Sequence, residues 1–240
     1  MKADIEQLLR ANTYPGRGII IGLSEDGARS ILAYFIMGRS LNSRNRVFER
    51  TFDGIRTKAF NPEAMSDPSL VIYNAIRSFN GLVIVTNGDQ TDTIREYLAK
   101  GLDFHSALLT REFEPDAPNY TPRISGLIMP DWSYYLSVLK TCDNDPSCCC
   151  RYFYEYPTAI PGAGRFLSTY MGDGNPLPSF VGEPVPVNIS ISGGIGDFAQ
   201  SVWNSLNYEN KVSLYARETH IFTGKSSDVI FNKNVSNAVR

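Results

Sequence analysis

The sequence predicts an α+β protein in which two antiparallel β-sheets stack face to face and helices cover their outer sides. Three observations carry this. Apolar stretches of strand length come in pairs joined by short polar turns, first over residues 17–85 and again over 124–170, as hairpins do. Between the two sets the period changes: Ile94, Tyr97 and Leu98 are spaced for one helix, and Phe104, Ala107 and Leu108 for a second. Further on, Ile195, Phe198, Ala199, Val202 and Leu206 recur at i, i+3, i+4, i+7 and i+11, the best amphipathic helix in the chain. The strands outnumber what one small sheet holds, hence two sheets. No repeat or linker divides the chain, so residues 1–240 read as a single domain.

In chain order, residues 3–11 form a short helix with Ile5, Leu8 and Leu9 on one face. Strands at 17–24 and 28–38 flank the turn Glu25-Asp26-Gly27. Strands at 47–51 and 55–60 flank Phe52-Asp53-Gly54, and those at 70–77 and 82–85 flank Asn80-Gly81. Asp92 is placed to cap the next helix and Gly101 to end it. Strands resume at 124–129, 134–140, 151–156 and 165–170, followed by a Gly- and Pro-rich loop at 172–186. After the long helix a last strand is expected at 212–217, with a frayed polar tail beyond Lys225.

Composition narrows the function. With 23 basic and 25 acidic residues the net charge is −2, which leaves no electrostatic footprint for nucleic acid. No run approaches the ~18 apolar residues of a membrane span, and the first ten residues lack the apolar core of a signal peptide. No membrane partner is expected, and the location expected is cytoplasmic. Cys142 and the run Cys148-Cys149-Cys150 lack the paired spacing of zinc ligands and read as reduced thiols in and beside a strand. With His105 and His220 as the only histidines, a nucleophile triad or multi-His metal site has little support. Ser192-Gly193-Gly194-Ile195-Gly196-Asp197 lacks the preceding βαβ context of a phosphate loop and reads as turn plus cap.

The chemistry concentrates elsewhere. The apolar run at 31–37 leads directly into Arg39, Arg44 and Arg46, separated by small polar residues. Guanidinium forks match phosphate and carboxylate oxygens in pairs, so such a cluster in a near-neutral chain suits a pocket for a phosphorylated small molecule. Tyr73 and Asn74 interrupt an apolar strand, and Asn87 to Asp92 lies between a strand and a helix, where amides bind an anion or simply cap. Glu112, Glu114 and Asp116 precede Asn119-Tyr120-Thr121-Pro122-Arg123, just ahead of another strand. Taken alone, Glu114 reads as an exposed loop carboxylate.

Together these blocks are familiar. Arg17 after Tyr14-Pro15-Gly16, the Arg39–Arg44 block, Tyr73-Asn74 with Arg77, Asn87-Gly88 with Thr91-Asp92, and Thr121-Pro122-Arg123-Ile124 stand in the order seen in archaeal-type IMP cyclohydrolases. The chain resembles that family over roughly residues 14–130 and more loosely to the end. The resemblance implies a four-layer αββα sandwich of the N-terminal-nucleophile-hydrolase type, without an autoprocessed nucleophile, since Met1 and a helix precede the first strand. It implies closure of 5-formamidoimidazole-4-carboxamide ribotide (FAICAR) to inosine monophosphate with loss of water, with no metal or redox cofactor. By position, Arg44, Tyr73 and Glu114 match the family's catalytic arginine, tyrosine and glutamate. Arg39 and Arg123 fit phosphate or base contacts, while Asn87, Thr91, Asp92, Asn119 and Thr121 fit pocket lining; Arg17, Ser43, Arg46 and Asn74 complete the expected substrate contacts. The chain departs from the family pattern at Asn42-Ser43, at the extra Arg46, in a longer acidic segment where Glu112 competes with Glu114, and in the 172–186 loop. Two other readings share the fold: a purine-nucleotide-binding homologue without turnover, and an amide hydrolase. The expected partner is a small purine ribotide, and the sequence is compatible with a homo-oligomer.

Overall fold

In the computed structural model, which describes residues 2–235, the chain opens with α1 (Ile5–Ala11), β1 (Arg17–Leu23), β2 (Arg29–Met37) and α2 (Leu41–Arg44). Then come β3 (Arg46–Arg50), β4 (Gly54–Ala59), β5 (Asn74–Phe79), β6 (Leu82–Thr86), α3 (Gln90–Ala99) and α4 (Phe104–Leu109). The second half runs through β7 (Arg123–Ile128), β8 (Tyr134–Cys142), β9 (Asp145–Tyr156), β10 (Ala163–Ser168) and β11 (Val185–Asn188). It closes with α5 (Ile195–Ser205), β12 (Lys211–His220) and β13 (Ser226–Asn232). Met1, on which the expectation about the chain start turned, lies outside the described residues, as do the last five.

The strands form two antiparallel sheets, one in the order β11-β10-β1-β2-β12-β13 and one in the order β3-β4-β5-β6-β7-β8-β9. β1 and β2 read as continuous apolar runs because the sheet that holds them is covered on both faces. Ile20, Ile31, Ala33 and Phe35 pack under α1 and α5, against Ile5, Leu9, Phe198 and Val202. Ile19, Ile21, Leu32, Tyr34 and Ile36 point the other way and meet Ile55, Ala75, Val85, Ile124 and Leu136 of the second sheet. The far side of that sheet carries Ile84, Leu127 and Leu139 against Ile94, Phe104, Ala107 and Leu108 of α3 and α4. Among the described residues no helix is long and apolar enough to cross a membrane.

The end of the expected 172–186 loop is β11, from Val185, and β9 begins at Asp145 rather than at residue 151. Four further segments differ from the sequence-based expectation. The arginine block is not a plain loop: Ser40 and Ser43 form a reciprocal capping box around the single turn of α2. β5 begins at Asn74 rather than at residue 70, because β4 shifts register between Ile55 and Arg56 and Thr57 grips both the N–H and the C=O of Tyr73. Asp92 does not cap α3; the cap position is Asp89, and Asp92 accepts instead from Asn74 (3.0 Å) and Arg77 (2.7 Å). The expected frayed tail is β13. It pairs with β12 from Ser226 to Asn232, and Asn232 bonds both the N–H (2.8 Å) and the C=O (3.0 Å) of Phe48 on the other sheet. As an edge strand it keeps a polar face, which disguised it.

Candidate active site

A cleft of about 280 Å³ opens between the start of β1, the α2 turn and the loops before β5 and β7. It is lined by Arg17, Arg39, Ser40, Asn42, Ser43, Glu114, Asp116, Asn119 and Thr121, with Tyr14 and Tyr170 beside them. Arg17 is placed there by register. Its N–H donates to Thr169 Oγ1 and its neighbour Gly18 pairs with Ser168 of β10. Gly18 has to be glycine, since a Cβ would lie 2.3 Å from the Phe35 ring. That close approach lets the Phe35 and Phe166 rings close over the start of the strand on the helix-covered face of its own sheet, next to Arg17.

The Arg17 side chain is 9% exposed and donates no side-chain hydrogen bond within the described residues; its nearest anion is Glu114 Oε2, 3.7 Å away, and Nε has no partner. Arg46 lies behind it, fully buried, donating to Ser43 O (2.7 Å) and Met37 O (3.2 Å) while Nη1 stays unpartnered. Arg17 lines the cleft with a spare donor. Arg46, expected as a substrate contact, does not reach the lining and adds its charge from behind, so the two favour negative or developing negative charge in front of Arg17. Burial alone would lower both; Glu114 and three neighbouring tyrosines lift Arg17, whereas burial and the adjacent Arg17 charge hold Arg46 below its ordinary value.

Glu114 is 2% exposed, and burial, outweighing Arg17 and Arg123, pushes its carboxyl up from 4.5 to about 7. Asn87 reaches its Oε1 at 3.4 Å and is itself fixed by Pro122 O, Gln90 and the N–H of Ile124. Glu112 points outward to Arg151 with its side chain 68% exposed, so Glu114 is the carboxylate the fold brings into the cleft.

The remaining expected residues divide. Ser43, Asn119 and Thr121 line the cleft. Arg39 stands on its rim above the Tyr14 ring, donating to Asp173 (2.5 Å) and Gly174 O (2.8 Å) of the 172–184 loop, which Asn119 also holds through Leu177 N (3.1 Å). Tyr73 is buried between the sheets, its hydroxyl 2.8 Å from that of Tyr34 and within electrostatic reach of Arg17 and Arg46. Arg123 supports the site from behind, held by Asp89 (2.7 Å) and Gln90 (2.6 Å). Arg44 turns away, donating to Gly38 O (2.9 Å) and Asn210 (3.1 Å). Asn74 and Asp92 bond each other beneath α3, and Thr91 is enclosed with Thr86 and Gly88 O, so none of these three faces the cleft. Sequence reasoning missed Asp67, Asp116 and Tyr170 as lining residues, and quoted Tyr14 only as a neighbour of Arg17. Asp116 stood inside a quoted acidic segment, but nothing local marks Tyr170, which arrives from the end of β10.

The chain is 28% identical over 157 residues to the IMP cyclohydrolase of Halobacterium salinarum, an overlap covering 61% of this chain and 76% of that protein. It is 31% identical over 161 residues to the IMP cyclohydrolase of Methanosphaera stadtmanae (65% and 73%) and 30% identical over 164 residues to that of Methanococcus aeolicus (65% and 74%). A family model described as IMP cyclohydrolase-like protein matches residues 14–224, a span that takes in every strand except β13 and every residue lining the cleft, and the chain belongs to that family.

Proposed function

We propose that the protein closes FAICAR to inosine monophosphate in purine biosynthesis. One observation carries this beyond family membership: two buried arginines with unpartnered donors stand beside a buried glutamate that ionises near neutrality. In the reaction the carboxamide nitrogen attacks the formyl carbon of the same molecule, so enforced proximity supplies most of the acceleration. The departing water takes the formyl oxygen, one carboxamide hydrogen and the formamido hydrogen. Glu114, half ionised near pH 7, serves as the base toward the carboxamide, and Arg17 and Arg46 stabilise charge on the formyl oxygen. Tyr73, deeper and paired with Tyr34, is the acid toward that oxygen. Arg44, engaged with Gly38 and Asn210, holds the α2 turn in place rather than touching substrate. The finer fold reading, a single αββα domain of the N-terminal-nucleophile-hydrolase type, accords with helices packed on the outer face of each sheet. Incubating the purified protein with FAICAR and following inosine monophosphate by absorbance tests the activity. Binding of the product without any turnover favours the non-catalytic reading instead, and no ribotide binding at all removes both.

A further inference from the structure

On one wall of the cleft, Tyr170, Thr121 and Asp116 form a hydrogen-bonded row whose direction is set by proton counting. Asp116 Oδ1 accepts from the Thr121 N–H (2.6 Å) and Oδ2 from Thr121 Oγ1 (2.5 Å). A carboxylate has nothing to donate, so the single hydroxyl proton of Thr121 points at Asp116. The 2.5 Å contact between Thr121 Oγ1 and the Tyr170 hydroxyl therefore uses the proton of Tyr170. The Tyr170 oxygen is left with lone pairs only, and no other described group donates to it. The ring is 1% exposed, stacked on Tyr14 with centroids 6.0 Å apart, so the oxygen is held in place. Arg17, Arg39 and Asn42 bring N–H donors to the same cleft, while the hydroxyl protons of Ser40 and Ser43 are spent within the α2 cap. A fixed neutral acceptor among donors selects for an N–H on the ligand.

We infer that Tyr170 is the acceptor that recognises a ring or amide N–H of the ligand, and that Asp116 is the positioning residue that keeps it an acceptor. Resting on the function proposed above, the inference adds a division of labour at the nucleophile. The carboxamide nitrogen carries two hydrogens: one leaves during ring closure, toward Glu114, and the other survives as N1–H of the product. Tyr170 holds the survivor. The carboxamide plane is thereby fixed for attack, and a ribotide bearing a carboxylate at that position is disfavoured, because it would set an anion against lone pairs.

Binding of two ribotides to the full chain, by calorimetry, tests this: inosine monophosphate, with N1–H, and purine riboside 5′-monophosphate, whose N1 is bare. The wild type is expected to prefer the first. Tyr170→Phe keeps the stacking and loses the acceptor, so that preference should shrink about tenfold, the worth of one net hydrogen bond. Asp116→Asn should go further. The backbone N–H of Thr121 retains the amide oxygen, which leaves the amide nitrogen to donate to Thr121 Oγ1; the threonine proton then turns to Tyr170 and the tyrosine proton into the cleft. The preference should move toward the bare-N1 ligand, a change that loosened packing alone does not produce. Equal weakening of both ligands in Tyr170→Phe, or an unchanged ratio in either variant, overturns the inference. These binding ratios do not depend on turnover, so a wild type that fails to convert FAICAR removes the proposed reaction while the ratios still decide on Tyr170.

Discussion

Glu112 and Glu114 stand two positions apart in one acidic segment, yet one meets solvent and the other a buried pair of guanidiniums. That difference sets the first expected outcome. Glu114→Gln should lower turnover by about 10²–10⁴-fold, the range of a general base, whereas Glu112→Gln should leave it within a few-fold. Wild-type kcat/KM should climb with pH through a limb near 7 that the Glu114→Gln enzyme lacks; a limb that persists in the variant would assign it to another group. Tyr73→Phe tests two roles together. If its hydroxyl is the acid, the rate falls at least ~10²-fold. Since the Tyr34 hydroxyl also loses its partner, stability should drop by about 1–3 kcal/mol. Tyr34→Phe removes the same hydrogen bond and spares the acid, so a matching loss of rate there would take Tyr73 out of the mechanism. The two neighbouring arginines should part in the same way. Arg46→Lys should impair turnover more than Arg44→Lys, because the unpartnered donor is on Arg46 and the bonds of Arg44 end on Gly38 and Asn210.

At the scale of elements, the α2 turn and β13 do work their lengths do not advertise. α2 has only four residues, but its capping box and the Arg46 Nε–Ser43 O bond lock the path from β2 into β3, bringing Ser40, Asn42 and Ser43 onto the cleft. β13 closes one edge of its sheet, packs Val229 and Phe231 near α5, and reaches the other sheet through Asn232. Asn232→Ala leaves the N–H and C=O of edge strand β3 at Phe48 without that partner and also removes the Ser213 contact. A cost of about 1–3 kcal/mol is expected, read as a lower Tm, with kcat per folded molecule unchanged because Phe48 lies outside the cleft. A fall in kcat at full folding would mean that the two sheets set the site's geometry jointly through this clamp.

For the whole molecule, the raised Glu114 couples stability to pH. The folded-state value of about 7 lies above the ordinary 4.5, so folding favours the protonated form. Its burial is tolerated fully below about 4.5, and stability is lost as pH rises through 7 and a charge must be carried inside. Measured against Glu114→Gln, the wild type should therefore weaken progressively over that window by up to about 3 kcal/mol, and then hold level. Chemical denaturation of both proteins at pH 4.5, 6 and 8 would show the difference opening; a constant gap would mean that Arg17 keeps Glu114 ionised throughout. Such a variant, more stable and less active, is the usual signature of a site that holds an unfavourable charge for its chemistry.

The class of fold, most strand and helix positions and the family were legible in the residues, because hydrophobic period and turn chemistry are local properties of the chain. The apolar runs of β1 and β2, the turns at Glu25-Asp26-Gly27 and Asn80-Gly81, and the spacing from Ile195 to Leu206 all act over a few residues. β13 escaped because an edge strand next to solvent needs no apolar alternation on its open face, and its pairing with β12 is not written locally. The site was legible as an inventory and not as an arrangement. Arg17, Ser43, Glu114, Asn119 and Thr121 meet in the cleft, while Asn74, Thr91 and Asp92, drawn from equally suggestive motifs, bond among their own elements. Which of Arg44 and Arg46 enters the interior, and which of Glu112 and Glu114, depended on strand register and helix phase, where one or two residues reverse the direction of a side chain. Tyr170, Thr121 and Asp116 come together across 54 residues of chain only when β10 and the loop before β7 converge, so their contact, and the lone pair it aims at the ligand, belongs to the tertiary structure alone.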